Sequence, residues 1–168
     1  MKKNSICSGA MLALALLASG NGFANGTHAG GHGHDADASV GKPGIASKAT
    51  RTVSIDMNDT MRFIPADIHV KKNETVRFVI TNSGVLKHEL VLGTEKELKE
   101  HYEVMKKHPE MEHADPNMVT LAPGKSGEIV WQFTKAGKVD FACLQPGHYD
   151  AGMKGAVNVK KALTKATQ

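Results

Sequence analysis

The sequence predicts an all-β protein, a Greek-key β-sandwich with one inserted helix and a Met/His-rich loop. Three observations carry that expectation. From Arg51 onward, apolar and polar residues alternate in short runs rich in valine and isoleucine, separated by turn signals. The stretch 51–160, about 110 residues, has the length of one sandwich domain, without a second domain or an internal repeat. A single segment, from Thr94 to about Lys107, abandons alternation for a helical pattern.

Taken in order, residues 1–24 read as a secretory signal peptide. Lys2 and Lys3 precede an apolar run from Met11 to Ala18, and Gly22-Phe23-Ala24 has the small-x-small form of a cleavage site. The run is too short to span a bilayer, so no membrane anchor is expected after cleavage, and the mature chain is expected in the periplasm. Residues 25–50 hold glycine, alanine and small polar residues with His28, His32 and His34, and almost no large apolar side chain. Such a segment buries too little to fold alone and reads as a flexible tail. Its histidines fit either a loose chelator of copper or zinc or a solvated linker.

Strands are expected at 51–57, 61–70 with a break at Pro65, 74–81, 86–92, 118–122, 126–133, 137–143 and 155–160, and residues 161–168 form a C-terminal tail. Val76, Phe78 and Ile80 share one face, as do Ile129, Trp131 and Phe133. Val139, Phe141 and Cys143 do the same, which turns the thiol inward at a strand's end. In the inserted segment, Thr94 and Glu97 have capping-box spacing and Pro109 lies just past the end.

Removal of Lys2 and Lys3 takes the formal charge from +4 to +2. Lysines alternate with acidic residues, and no basic run is interleaved with aromatics, which argues against a nucleic-acid partner. Cys7 leaves with the leader, so Cys143 is the one thiol of the mature chain and an internal disulfide is excluded. A lone thiol in an oxidising compartment is either buried and structural or occupied, and a metal is one occupant.

The surroundings of that thiol favour the metal. Cys143, His148 and Met153 are evenly spaced in a loop kept irregular by Pro146, Gly147 and Gly152. His88 lies upstream in an alternating run, where by itself a structural role would suit it equally well. One thiolate, two imidazoles and a weak axial thioether are the donors of a type 1 copper centre, since soft sulfur and borderline nitrogen suit both copper(I) and copper(II). Along the helix and beyond it, His101, Met105, His108, Met111, His113 and Met118 form a local excess of copper-ligating residues. They fit an auxiliary copper site, or, for Met105 above all, packing of the helix on the sandwich. His69 sits in an alternating strand with no suitable neighbour.

Residues 61–92 and 119–159 resemble a cupredoxin. Phe63-Ile64-Pro65, Ile68-His69-Val70, Glu74-Thr75-Val76-Arg77-Phe78 and the Cys143 loop carry that resemblance. With the leader, the histidine-bearing tail and the insertion, the chain looks most like the periplasmic cupredoxins of bacterial copper tolerance. The resemblance implies a redox-active copper cofactor at His88, Cys143, His148 and Met153, with a role in copper tolerance by binding copper or oxidising copper(I). Many cupredoxins have Asn after the first histidine ligand; Glu89 here puts the usual hydrogen bonding around the sulfur in doubt. The competing function is a soluble electron carrier between periplasmic redox partners, with Leu144, Pro146 and Ala151 as its apolar docking patch. A copper nitrite reductase is disfavoured by the single-domain length.

Overall fold

The computed structural model describes residues 40–161. Two five-stranded sheets face each other. The first contains β1 (Lys42–Pro43), β2 (Arg51–Asn58), β3 (Arg62–Ile64), β5 (Thr75–Asn82) and β8 (Ser126–Gln132), in the order β1-β8-β5-β2-β3. The second contains β4 (Asp67–Lys71), β6 (His88–Gly93), β7 (Met118–Leu121), β9 (Gly137–Ala142) and β10 (Lys154–Lys160), in the order β4-β10-β9-β6-β7. The β2·β5 and β4·β10 pairs are parallel and the others antiparallel. This is the expected sandwich with its single inserted helix.

Alternation works as anticipated. Val76, Phe78 and Ile80 of β5 and Ile129 and Trp131 of β8 are buried, as is Phe133 just beyond. They meet Leu90, Leu92, Val139, Phe141, Val157 and Val159 of the other sheet in one cluster. Aromatic edges lock the two layers, Phe63 on Phe141 with ring centroids 5.0 Å apart and Phe78 on Phe133 at 6.1 Å. Each fully buried large side chain contributes about 1.5–3 kcal/mol. Cys143 and Met153 belong to the same cluster, so the loop between them closes one pole of the core.

Two expectations change. The run 61–70 is two strands in different sheets, because the chain leaves the first sheet after Ile64 and enters the second at Asp67. Residues 40–50, assigned by composition to the flexible tail, belong to the sandwich. Lys42 and Pro43 pair with Gln132 and Trp131, Val40 is buried, and the Trp131 indole N–H donates to the Val40 carbonyl at 2.8 Å. Gly41 has φ +111°, and a Cβ there would strike the Gln132 carbonyl and the Trp131 indole, so glycine is required. The leader, tail residues 25–39 with His28, His32 and His34, and residues 162–168 lie outside the described residues.

Helix α1 (Glu95–Lys107) begins with the expected capping box: the Glu97 amide donates to Thr94 Oγ1 and the Thr94 amide to Glu97 Oε2. Its buried stripe is Leu98, Tyr102 and Met105. That stripe packs on Val91, Met118, Ala142, Leu144 and Tyr149 in a second apolar cluster, which ties the helix to the 143–153 loop.

Candidate metal centre

Strand pairing assembles the site. In the antiparallel β6·β9 pair Val91 faces Ala142, so the start of β6 runs beside the residues that follow β9, and His88 reaches Cys143. On the other side Lys154 of β10 faces Ala142. The loop between is closed by the Cys143 amide donating to the Met153 carbonyl at 3.1 Å and the Met153 amide to the His148 carbonyl at 3.0 Å. Inside it the His148 amide donates to the Gln145 carbonyl and the Ala151 amide to the Gly147 carbonyl, with Gly147 at φ +84° and Gly152 at φ +91°. These turns point the His148 ring back at the sulfur.

Three donor atoms converge. Cys143 Sγ lies 3.3 Å from His148 Nδ1 and 4.0 Å from His88 Nδ1, and the two Nδ1 atoms are 3.2 Å apart. Metal–nitrogen bonds of about 2.0 Å and metal–sulfur bonds of about 2.3 Å, the lengths found at zinc, place trigonal ligand atoms about 3.5–3.7 Å apart. The observed triangle brackets that range, so the residues fit a first-row metal ion. Among the described residues this is the one group of three or more His, Cys, Asp or Glu side chains drawn together in this way. Met153, at the loop's last position, is wholly buried in the cluster that holds Cys143.

Burial sets the protonation of the donors. It pushes the Cys143 thiol up to about 12, opposed by hydrogen bonds from the Glu89 and Gln145 backbone. A metal ion would displace that proton. Burial, and then the neighbouring His88, lower the His148 pKa, which favours the neutral ring a metal requires.

The surroundings of the triangle contain two carboxylates. Glu89 is buried; its amide donates to Cys143 Sγ at 3.4 Å, and its side chain accepts from the Leu144 amide at 3.0 Å and from Gln145 Nε2 and Thr120 Oγ1 at 3.2 Å. The hydrogen bond to sulfur that Glu89 put in doubt is thus made by backbone, and the side chain braces the loop. Asp59, which the sequence did not single out, accepts from His88 Nε2 at 3.0 Å and from the Val85 and Leu86 amides. The Val85 amide, and then His88, hold its carboxyl below the usual range. On the far side, the Tyr102 hydroxyl of α1 donates to Asp150 at 2.9 Å and accepts from the Gly147 amide at 3.0 Å, while its ring stacks on Tyr149.

The remaining expected ligands divide. His101 and His113 come together, with ring centroids 4.7 Å apart, and both ring nitrogens of His113 are buried with no hydrogen-bond partner among the described residues. Met105 and Met118 pack in the apolar cluster under α1. His108 is the exposed C-cap of the helix and Met111 is largely exposed. The apolar patch needs correction: Leu144 is fully buried beneath α1, which leaves Pro146 and Ala151 exposed. His69 is exposed and pairs with Asp67.

Comparison with known proteins gives this geometry its relatives. Residues 49–160 match the family described as copper binding proteins, plastocyanin/azurin family. A protein of Rubrivivax gelatinosus named copper-resistant cuproprotein CopI is 54% identical over 155 residues, covering 92% of this chain and 94% of that one. A protein of the same name from Pseudomonas aeruginosa is 36% identical, covering 71% of this chain and 82% of its own length. Among solved structures, auracyanin B superposes with a TM-score of 0.60 at 23% identity, over 71% of this chain and 96% of that one, a likeness of fold. Joined to the donor triangle at the pole of a two-sheet sandwich, these matches establish that the chain belongs to the plastocyanin/azurin family of copper-binding proteins, the cupredoxins.

Proposed function

We propose that this cupredoxin is a periplasmic copper-resistance protein whose copper occupies a type 1 centre, held by His88, Cys143 and His148 with Met153 as the weak axial donor. The convergence of one thiol and two imidazole nitrogens at 3.2–4.0 Å carries the reading. Bound copper supplies a one-electron couple. The chain's own residues do the rest: burial excludes water, the Glu89 amide stabilises the sulfur, and the closed loop holds His148 in place. The name shared by relatives that align over most of this chain supports a role in resistance. Residues 1–24 serve as the export signal, and residues 25–39 as a histidine-bearing extension.

Resistance calls for handling copper as cargo, and the His101–His113 pair supports a second place for it. Its centroid separation of 4.7 Å is close to the 4.8 Å of His88 and His148. Oxidation of copper(I) to the less toxic copper(II) is the activity the couple would add to binding. The competing reading, an electron carrier between redox proteins, needs one copper and an exposed edge, and the partial exposure of His148 favours it to that extent.

Metal counting separates the two. Copper-loaded mature protein is expected to bind more than one copper per chain, and Cys143→Ala to remove the thiolate-to-copper absorption while leaving some copper bound. A stoichiometry of one, abolished by that substitution, would sink the resistance reading in favour of the carrier. A deletion strain is expected to grow less well on copper.

A further inference from the structure

A neutral imidazole has one N–H donor and one lone-pair acceptor, and its hydrogen-bond partners decide which nitrogen is which. For His88 the decision falls outside the donor triangle. Nε2 faces Asp59 Oδ1 at 3.0 Å, and an ionised carboxylate only accepts. The proton therefore sits on Nε2, and the Nδ1 lone pair is turned towards Cys143 Sγ and His148 Nδ1. Asp59 is itself held in place: Oδ2 accepts from the Val85 amide at 2.8 Å and Oδ1 from the Leu86 amide at 3.3 Å. The turn leaves room for it because residue 84 is glycine; a Cβ there would collide with the Asp59 carboxylate.

We propose that Asp59 is a positioning residue for the copper centre, fixing the tautomer and angle of the His88 ring and, by its charge, favouring copper(II) over copper(I). The inference rests on the reading of His88 as a copper ligand. A carboxylate behind a ligating histidine raises the donor strength of the ring, and such partners matter to metal affinity by one to two orders of magnitude. Its negative charge is less opposed by copper(I) than by copper(II), so it lowers the reduction potential.

Two measurements test it. In the metal-free protein, nitrogen NMR of the His88 ring reads the tautomer directly, without copper. In the loaded protein, a redox titration reads the potential. Asparagine in place of Asp59 keeps the size but has one acceptor oxygen, so it satisfies His88 or the Val85 amide, not both. Asp59→Asn is expected to mix the His88 tautomers and to move the copper(II)/copper(I) ratio about tenfold towards copper(I) at fixed poise, which is 59 mV for one electron. Asp59→Glu, which keeps the charge, is expected to restore part of that change. Gly84→Ala, displacing the carboxylate without removing its charge, is expected to mix the tautomers too, and serves if Asp59→Asn does not fold.

An unchanged tautomer in Asp59→Asn or Gly84→Ala, or an unchanged potential in Asp59→Asn, overturns the proposal. Failure of the ligand reading looks different: His88→Gly would then leave the thiolate-to-copper band of the loaded protein unchanged.

Discussion

Raising the pH over metal-free protein should destabilise it, with Cys143 as a separable contributor. The Cys143 thiol titrates near 9.0 when unfolded and is pushed to about 12 in the fold, chiefly by burial. A group whose folded pKa is raised contributes its full stability below the unfolded value and loses it as pH climbs towards the folded one, so the window is pH 9 to 12. A tenfold difference in proton affinity between the two states is worth about 1.36 kcal/mol, which gives about 4 kcal/mol over the window and about 3 kcal/mol by pH 11. Burial also raises Tyr102 and Tyr149, so the total loss is not the readout. The assay is urea unfolding of metal-free wild type and Cys143→Ala between pH 8 and 11. The tyrosines act in both proteins, and their stability difference isolates the thiol. That difference should move by about 3 kcal/mol against wild type across the range. Parallel pH curves would refute the claim that the sulfur is sealed from water. Copper-loaded wild type should lose the effect, because a metal-bound sulfur has already given up its proton.

Two further substitutions probe the supports of the site. Tyr102→Phe removes the hydroxyl that bridges Asp150 and the Gly147 amide but keeps the ring on Tyr149; about 1–3 kcal/mol of stability should be lost in urea unfolding, with faster hydrogen exchange at Gly147. Trp131→Phe deletes the donor to the Val40 carbonyl, and loss of exchange protection at the Gly44 amide, bonded to Val130 beside it, is the expected signature; unchanged protection would mean that β1 holds without the indole.

The features readable from the sequence were those whose partners are close along the chain or repeat at a fixed period. Cys143, His148 and Met153 fall within one loop, Thr94 and Glu97 cap one turn, and alternation marks β5, β8 and β9. Features set by distant pairing were not. Lys42 and Pro43 carry no strand pattern and gain one only because β8 offers an edge. Asp59 is 29 positions from His88, in a turn where aspartate needs no special reason. Leu144 looked like surface because nothing local tells that Leu98, Tyr102 and Met105 of α1 cover it. On that helix, His101 and Met105 are neighbours on one side; only packing decides that Met105 goes under and that His101 meets His113.

The two carboxylates also bear on which copper chemistry the centre favours. The partners of Glu89 around the loop, Leu144 and Gln145, donate to it, and Asp59 is held below the usual range. A copper ion held here would have the carboxyl groups of Glu89 and Asp59 close behind its Cys143 and His88 donors. Negative charge beside the site opposes the added electron of copper(I), so the Asp59 carboxylate would favour copper(II). The Asp59 side chain is 33% exposed, so solvent screens part of that effect. A bias towards copper(II) suits a site that retains copper better than one that withdraws electrons from copper(I), so between the two activities suggested for resistance the charge balance supports binding over oxidation.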